Sequence, residues 1–219
     1  MTNDMKGRRS LMSGIGAFTA AFALGSRRVA AQAPAASTFE PARHAQDTWL
    51  DAIPGKHRLV IDTTSSAGVP EAVRFASNIL AANKEAYGLE DAETAMVVIL
   101  RHSATAFGFS DAIWEKYGEA LARFTSYADP ESTGPPTGNP FTVAPRSALD
   151  GLAARGVQFA LCDRASRGTS RRLAGEGGDA ETVYQEMVAN RIPSSRLVSA
   201  GVIAVTRAQE YGYSVIHVG

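Results

Sequence analysis

The feature that most restricts how this chain can fold is a series of short apolar, β-branched runs separated by helical patterns. The runs are Arg58 to Thr63 (RLVIDT), Thr94 to Leu100 (TAMVVIL), Gly156 to Leu161 (GVQFAL), Arg196 to Ser199 and Tyr213 to Val218. Each has the length of a strand rather than of a helix, and TAMVVIL lacks the polar alternation of a half-exposed strand. A continuous apolar strand is what a sheet covered on both faces requires. Helix signals fill the gaps. Pro70 falls in the first turn after the small-residue loop Thr64 to Gly68. Ala72, Phe75, Ile79, Ala82 and Ala86 then share one face, and Gly88 closes the helix. Ser110 is placed to cap a helix that carries Trp114, Tyr117, Leu121 and Phe124 as a core stripe. Pro145 opens a short helix with Leu149 and Leu152, Asp179 caps one with Val183, Tyr184, Met187 and Val188, and Gly201 to Glu210 is the last. The order βαβαβαβαβ predicts an α/β fold, a mainly parallel five-stranded sheet with helices on both faces. Residues 125–144 hold four of the ten prolines and no periodic pattern, which predicts a lid, an oligomer contact or a mobile loop.

The two ends of the chain are not alike. Residues 1–33 have a basic start (Lys6, Arg8, Arg9), a weakly apolar stretch from Leu11 to Leu24, and Ala31-Gln32-Ala33 as a small-x-small cleavage signal. The stretch is too short for a permanent membrane anchor. Arg8-Arg9-Ser10-Leu11-Met12 resembles the twin-arginine motif, so an exported, periplasmic protein is expected. Residues 34–57 read as a tether, and residues 58–219 as one domain. The whole chain has 22 basic and 22 acidic residues. Cleavage would remove Asp4, Lys6, Arg8, Arg9, Arg27 and Arg28, leaving 17 basic against 21 acidic groups and a net charge of −4. That balance argues against nucleic acid and against a membrane surface as partners of the mature form.

In an open parallel sheet, ligands bind beyond the carboxyl ends of the strands. The loops there are Thr64 to Gly68, Arg101 to Phe107, Cys162 to Ala165 and Ser199 to Gly201. No GxSxG elbow, GxxxxGK[ST] loop or GxGxxG turn follows a strand, so no nucleotide cofactor is expected. Cys162, the single cysteine, ends a strand and precedes a helix beginning Asp163-Arg164, with Arg167 one turn on. A thiol at a helix N-terminus among cations gains thiolate character, whereas a thiol buried in a strand packs as a small hydrophobe. His102 ends the second strand in Leu100-Arg101-His102-Ser103. It would meet Cys162 on one rim if the second and third strands are neighbours, as the base of a Cys–His pair or as a hydrogen-bonded strand-end residue. Arg101, Ser103, Asp163 and Arg164 are the loop residues placed to hold a ligand, a small anion above all. Arg171 and Arg172 read as solvated, and His44, His57 and His217 as outside the site. Two Cys/His ligands are too few for a metal centre, and none is expected.

Gly156-Val157-Gln158-Phe159-Ala160-Leu161-Cys162, then Leu197-Val198-Ser199-Ala200-Gly201-Val202 and Ala208-Gln209-Glu210-Tyr211-Gly212-Tyr213, resemble the DsrE/DsrF-like sulfur-oxidation and sulfur-relay proteins. The resemblance covers residues 58–219 and is most specific in the last third. It implies a three-layer α/β/α sandwich with strand order 4-3-2-1-5, assembly into trimers or hexamers, and a persulfide carried at the position of Cys162. A sulfur-transfer protein or a small sulfur anion would then be the partner. The alternative is a non-catalytic ligand-binding or assembly module with a structural cysteine.

Overall fold

The computed structural model describes residues 40–129, 133–142 and 148–219. The expected export signal and the helix start at Pro145 lie outside the described residues. In chain order the elements are α1 (Trp49–Ala52), β1 (His57–Thr63), α2 (Gly68–Tyr87), β2 (Thr94–Leu100), α3 (Asp111–Thr125), α4 (Ala148–Ala154), β3 (Gln158–Cys162), α5 (Asp163–Ala174), α6 (Ala180–Ala189), β4 (Ser195–Val198), α7 (Gly201–Glu210) and β5 (Ser214–Val218). The five strands form one sheet in the order β4-β3-β2-β1-β5, and every pairing is parallel.

Strand alternation divides the apolar side chains between two layers. Leu59 and Ile61 of β1, Met96, Val98 and Leu100 of β2, and Phe159 and Leu161 of β3 face a large core completed by α2, α3, α4 and α6. Val60, Ala95, Val97, Ile99 and Ala160 face the other way, onto Ala204 and Ala208 of α7, Tyr211 and Tyr213. Helices therefore cover both faces of the sheet, as a three-layer α/β/α sandwich requires, and all seven residues of β2 are buried.

Local signals act where the sequence places them. Gly88 ends α2 in the left-handed region at φ 65°, which glycine adopts without a Cβ penalty. Asp179 accepts hydrogen bonds from the amides of Glu181 and Thr182 at the start of α6. Ser110 occupies the N-cap position of α3 without bonding through its side chain. The aromatic stripe is core at Trp114, whose Nε1 donates to the Ala106 carbonyl at 3.1 Å and whose ring stacks on Phe107 at 5.0 Å.

The segment expected to be a tether differs from that reading at its C-terminal end. Leu50 and Ile53 are buried in the α7-side layer. Tyr213 donates its hydroxyl to the Leu50 carbonyl at 2.7 Å, and burial pushes that hydroxyl up to about 12. Arg58 reaches back to Asp51 at 2.8 Å and to the Tyr211 carbonyl at 2.7 Å. Two apolar side chains and the long-range Tyr213–Leu50 hydrogen bond make this stretch part of the folded unit.

Candidate functional site at the carboxyl edge of the sheet

The end of β1 carries a charged residue in an otherwise apolar run. Asp62 is 4% exposed and projects toward α7, on the same face as Val60. A carboxylate so placed needs partners, and it has two. Arg101, the residue after β2, donates Nε and Nη2 to the two Asp62 oxygens at 2.6 and 2.8 Å, a bidentate pair. His217 of β5, paired with Asp62 in the strand register, places Nδ1 2.9 Å from Oδ2. Burial raises the Asp62 carboxyl, but the Arg101 and His217 hydrogen bonds outweigh it and hold the group below its ordinary value. Arg101 is held up in turn, chiefly by its hydrogen bond to Asp62.

The row continues along the same edge. β2 and β3 are neighbours with Leu100 opposite Leu161, which sets Arg101 level with Cys162. Cys162 is opposite Val198 of β4 and 8% exposed. It is the N-cap residue of α5, and its carbonyl accepts the Ser166 hydroxyl at 3.0 Å. His217, Asp62, Arg101 and Cys162 therefore line up across β5, β1, β2 and β3 on the α7 face. Gly201 lets α7 approach this row, because a Cβ there would lie 2.5 Å from the Cβ of Arg101.

The residues expected at the rim behave differently from one another. His102 is exposed, takes φ 53° at the start of a 3-10 turn, and receives the Arg101 Nη1 donor on its Nε2 at 2.8 Å. An arginine can only donate, so Nε2 is the unprotonated nitrogen in this arrangement. Ser103 donates to the Thr64 carbonyl at 3.2 Å and ties two loops together. Asp163 is turned away from the rim: one oxygen accepts from Tyr184 Oη, the other from Arg167 Nε at 3.0 Å, and the Arg167 guanidinium lies over the Tyr184 ring. The carboxylate is engaged on both oxygens and anchors α6 to α5. Arg164, in the first turn of α5, is exposed and has no ion pair among the described residues. Arg172 is not simply solvated, since it stacks over Phe124 at 4.5 Å.

Asp62 and His217 were not among the expected site residues. The signal for Asp62 was a lone acid inside RLVIDT, since a charge in a buried strand requires a partner. His217 gives no such signal, because the register that brings it to Asp62 exists only in the folded sheet.

No protein-family model matches this chain, and no curated protein matches it. Among solved structures, a protein of unknown function from Methanobacterium thermoautotrophicum is similar at 15% identity and a TM-score of 0.43, over 74% of this chain and 99% of that one.

Proposed function

We propose that this chain is an exported DsrE-like protein in which Cys162 accepts and carries sulfane sulfur. One observation carries the reading: Cys162 is the N-cap residue of α5 at the carboxyl end of β3, level with Arg101 on the adjoining strand. The free amides at a helix start favour an anionic sulfur. Arg101, level with the thiol though paired with Asp62, and exposed Arg164, next but one to the thiol in sequence, are the cations offered to a sulfur anion.

In the reaction, the Cys162 thiolate attacks the outer sulfane sulfur of a polysulfide. A new S–S bond forms to Cys162, the old S–S bond breaks, and its electron pair leaves with the shortened polysulfide. The product is a persulfide anion at the start of α5. Assembly into trimers or hexamers and export through the Arg8-Arg9 segment belong to this reading and rest on the sequence resemblance.

Mass spectrometry of the purified chain after polysulfide treatment tests it. A mass increase of one sulfur atom on the peptide containing Cys162, reversed by a thiol reductant, is expected. Absence of any adduct there would favour the second reading, a ligand-binding module with a packed cysteine. The low exposure of Cys162 and an apolar cavity of about 650 Å³ beside Pro70, Val73, Tyr127 and Phe141 are the observations on its side.

A further inference from the structure

The far end of the polar row from Cys162 has its own chemistry. Three strand spacings separate β5 from β3, about 14 Å in a regular sheet, so His217 is out of reach of the thiol. Asp62 is ionised and can only accept, which makes His217 Nδ1 the donor of their 2.9 Å bond. Asp62 is itself immobilised: its side chain is 6% exposed and both oxygens are taken by Arg101. The imidazole is thus oriented by a buried, rigid carboxylate, while its own side chain is 57% exposed. With Nδ1 carrying the proton, Nε2 of the neutral ring is a bare base. Nε2 lies at the strand ends beside Gly219 and Thr64: a Cβ built on Gly219 would be 3.2 Å from it and 2.8 Å from Thr64 Oγ1.

We propose that His217 is a general base, locked in one tautomer by Asp62, whose exposed ring takes the proton of a water or substrate hydroxyl at Nε2. The proton passes from the hydroxyl to Nε2, and the oxygen keeps the electron pair as the nucleophile. The charge formed on the imidazolium is met by Asp62, and Arg101 keeps that carboxylate in place. Asp62 acts as a positioning residue, since it touches only the ring and the guanidinium. Nothing in this assignment uses the thiol.

Nitrogen-15 NMR of the full chain reads the tautomer directly, and diethyl pyrocarbonate reads the reactivity of the bare nitrogen. The uncharged His217 ring is expected as the Nδ1–H tautomer, and its adduct is expected to form faster than those of His44 and His57. In Asp62→Asn the tautomer preference should be lost and the His217 adduct should form about tenfold more slowly or less. If Asp62→Asn does not fold, the wild-type spectrum alone decides. An Nε2–H tautomer in the wild-type chain, or modification of His217 no faster than of His44 and His57, overturns the proposal. Neither readout reports on Cys162, so failure here leaves the sulfur reading standing, and the reverse also holds.

Discussion

The two faces of the sheet come from the same strands and end differently. On the face toward α2 and α3 the strand ends are Thr63, Leu100, Leu161 and Val218, all buried. On the face toward α7, one residue out of step, the ends are Asp62, Arg101, Cys162 and His217, which are charged, nucleophilic or basic. The first layer is made by volume and closes over itself. The second is apolar only as far as Val60, Ile99, Ala160 and Val215, then becomes a polar row at the mouth of α7. Because side chains alternate, a shift of one residue in register would exchange the two sets. The fold therefore holds the polar row in place through the packing on the opposite face.

The largest effect expected from breaking this contrast is on the apolar face. Phe159→Ala removes a ring with no exposed surface and should cost about 3–5 kcal/mol, read as a fall in the denaturant midpoint. The polar row should respond next. Arg101→Ala leaves the Asp62 carboxylate buried with His217 as its remaining partner, a loss of about 3 kcal/mol at neutral pH. The sign of its pH dependence follows from Asp62. In the wild-type chain this carboxyl is held below its ordinary value of 3.8, so its contribution is present in full above that value and is lost as pH falls below it. Without Arg101, burial raises the group, and protonation relieves the cost. The stability gap between the two chains should therefore narrow as pH falls from neutral to about 4, which paired denaturation curves would measure. The smallest effect has the opposite sign. Thr63 ends β1 on the apolar face with its Oγ1 buried and lacking a hydrogen-bond partner among the described residues. Thr63→Val keeps the shape and should raise stability by about 1 kcal/mol. A loss there would mean that this face, too, carries polar structure.

Much of the architecture was legible in the sequence because it rests on local period and punctuation. TAMVVIL is β2 from first to last residue, Gly201 to Glu210 is α7, and Asp179 caps α6 through its side chain. Strand order came from resemblance rather than from period, and the sheet has that order. Less was legible where partners are far apart in the chain. The contact that folds in the supposed tether joins Tyr213 to Leu50, and the one that brings His217 into the polar row joins it to Asp62. Asp163 shows the converse: its place after β3 pointed to the rim, but Tyr184 and Arg167 turn its carboxylate toward α6. Position in the sequence located the rim. The identity of each partner decided which of its residues remain free to act.

The central claim is that Cys162, though 8% exposed, is open to a small sulfur ligand in the folded chain. Native-state alkylation by iodoacetamide, followed by mass spectrometry beside the circular dichroism signal, tests it most directly. Modification of Cys162 with a rate proportional to reagent concentration, while the fold stays intact, is the predicted result. A rate that levels off at the rate of global unfolding would mean that the thiol is sealed in the core and would contradict the account.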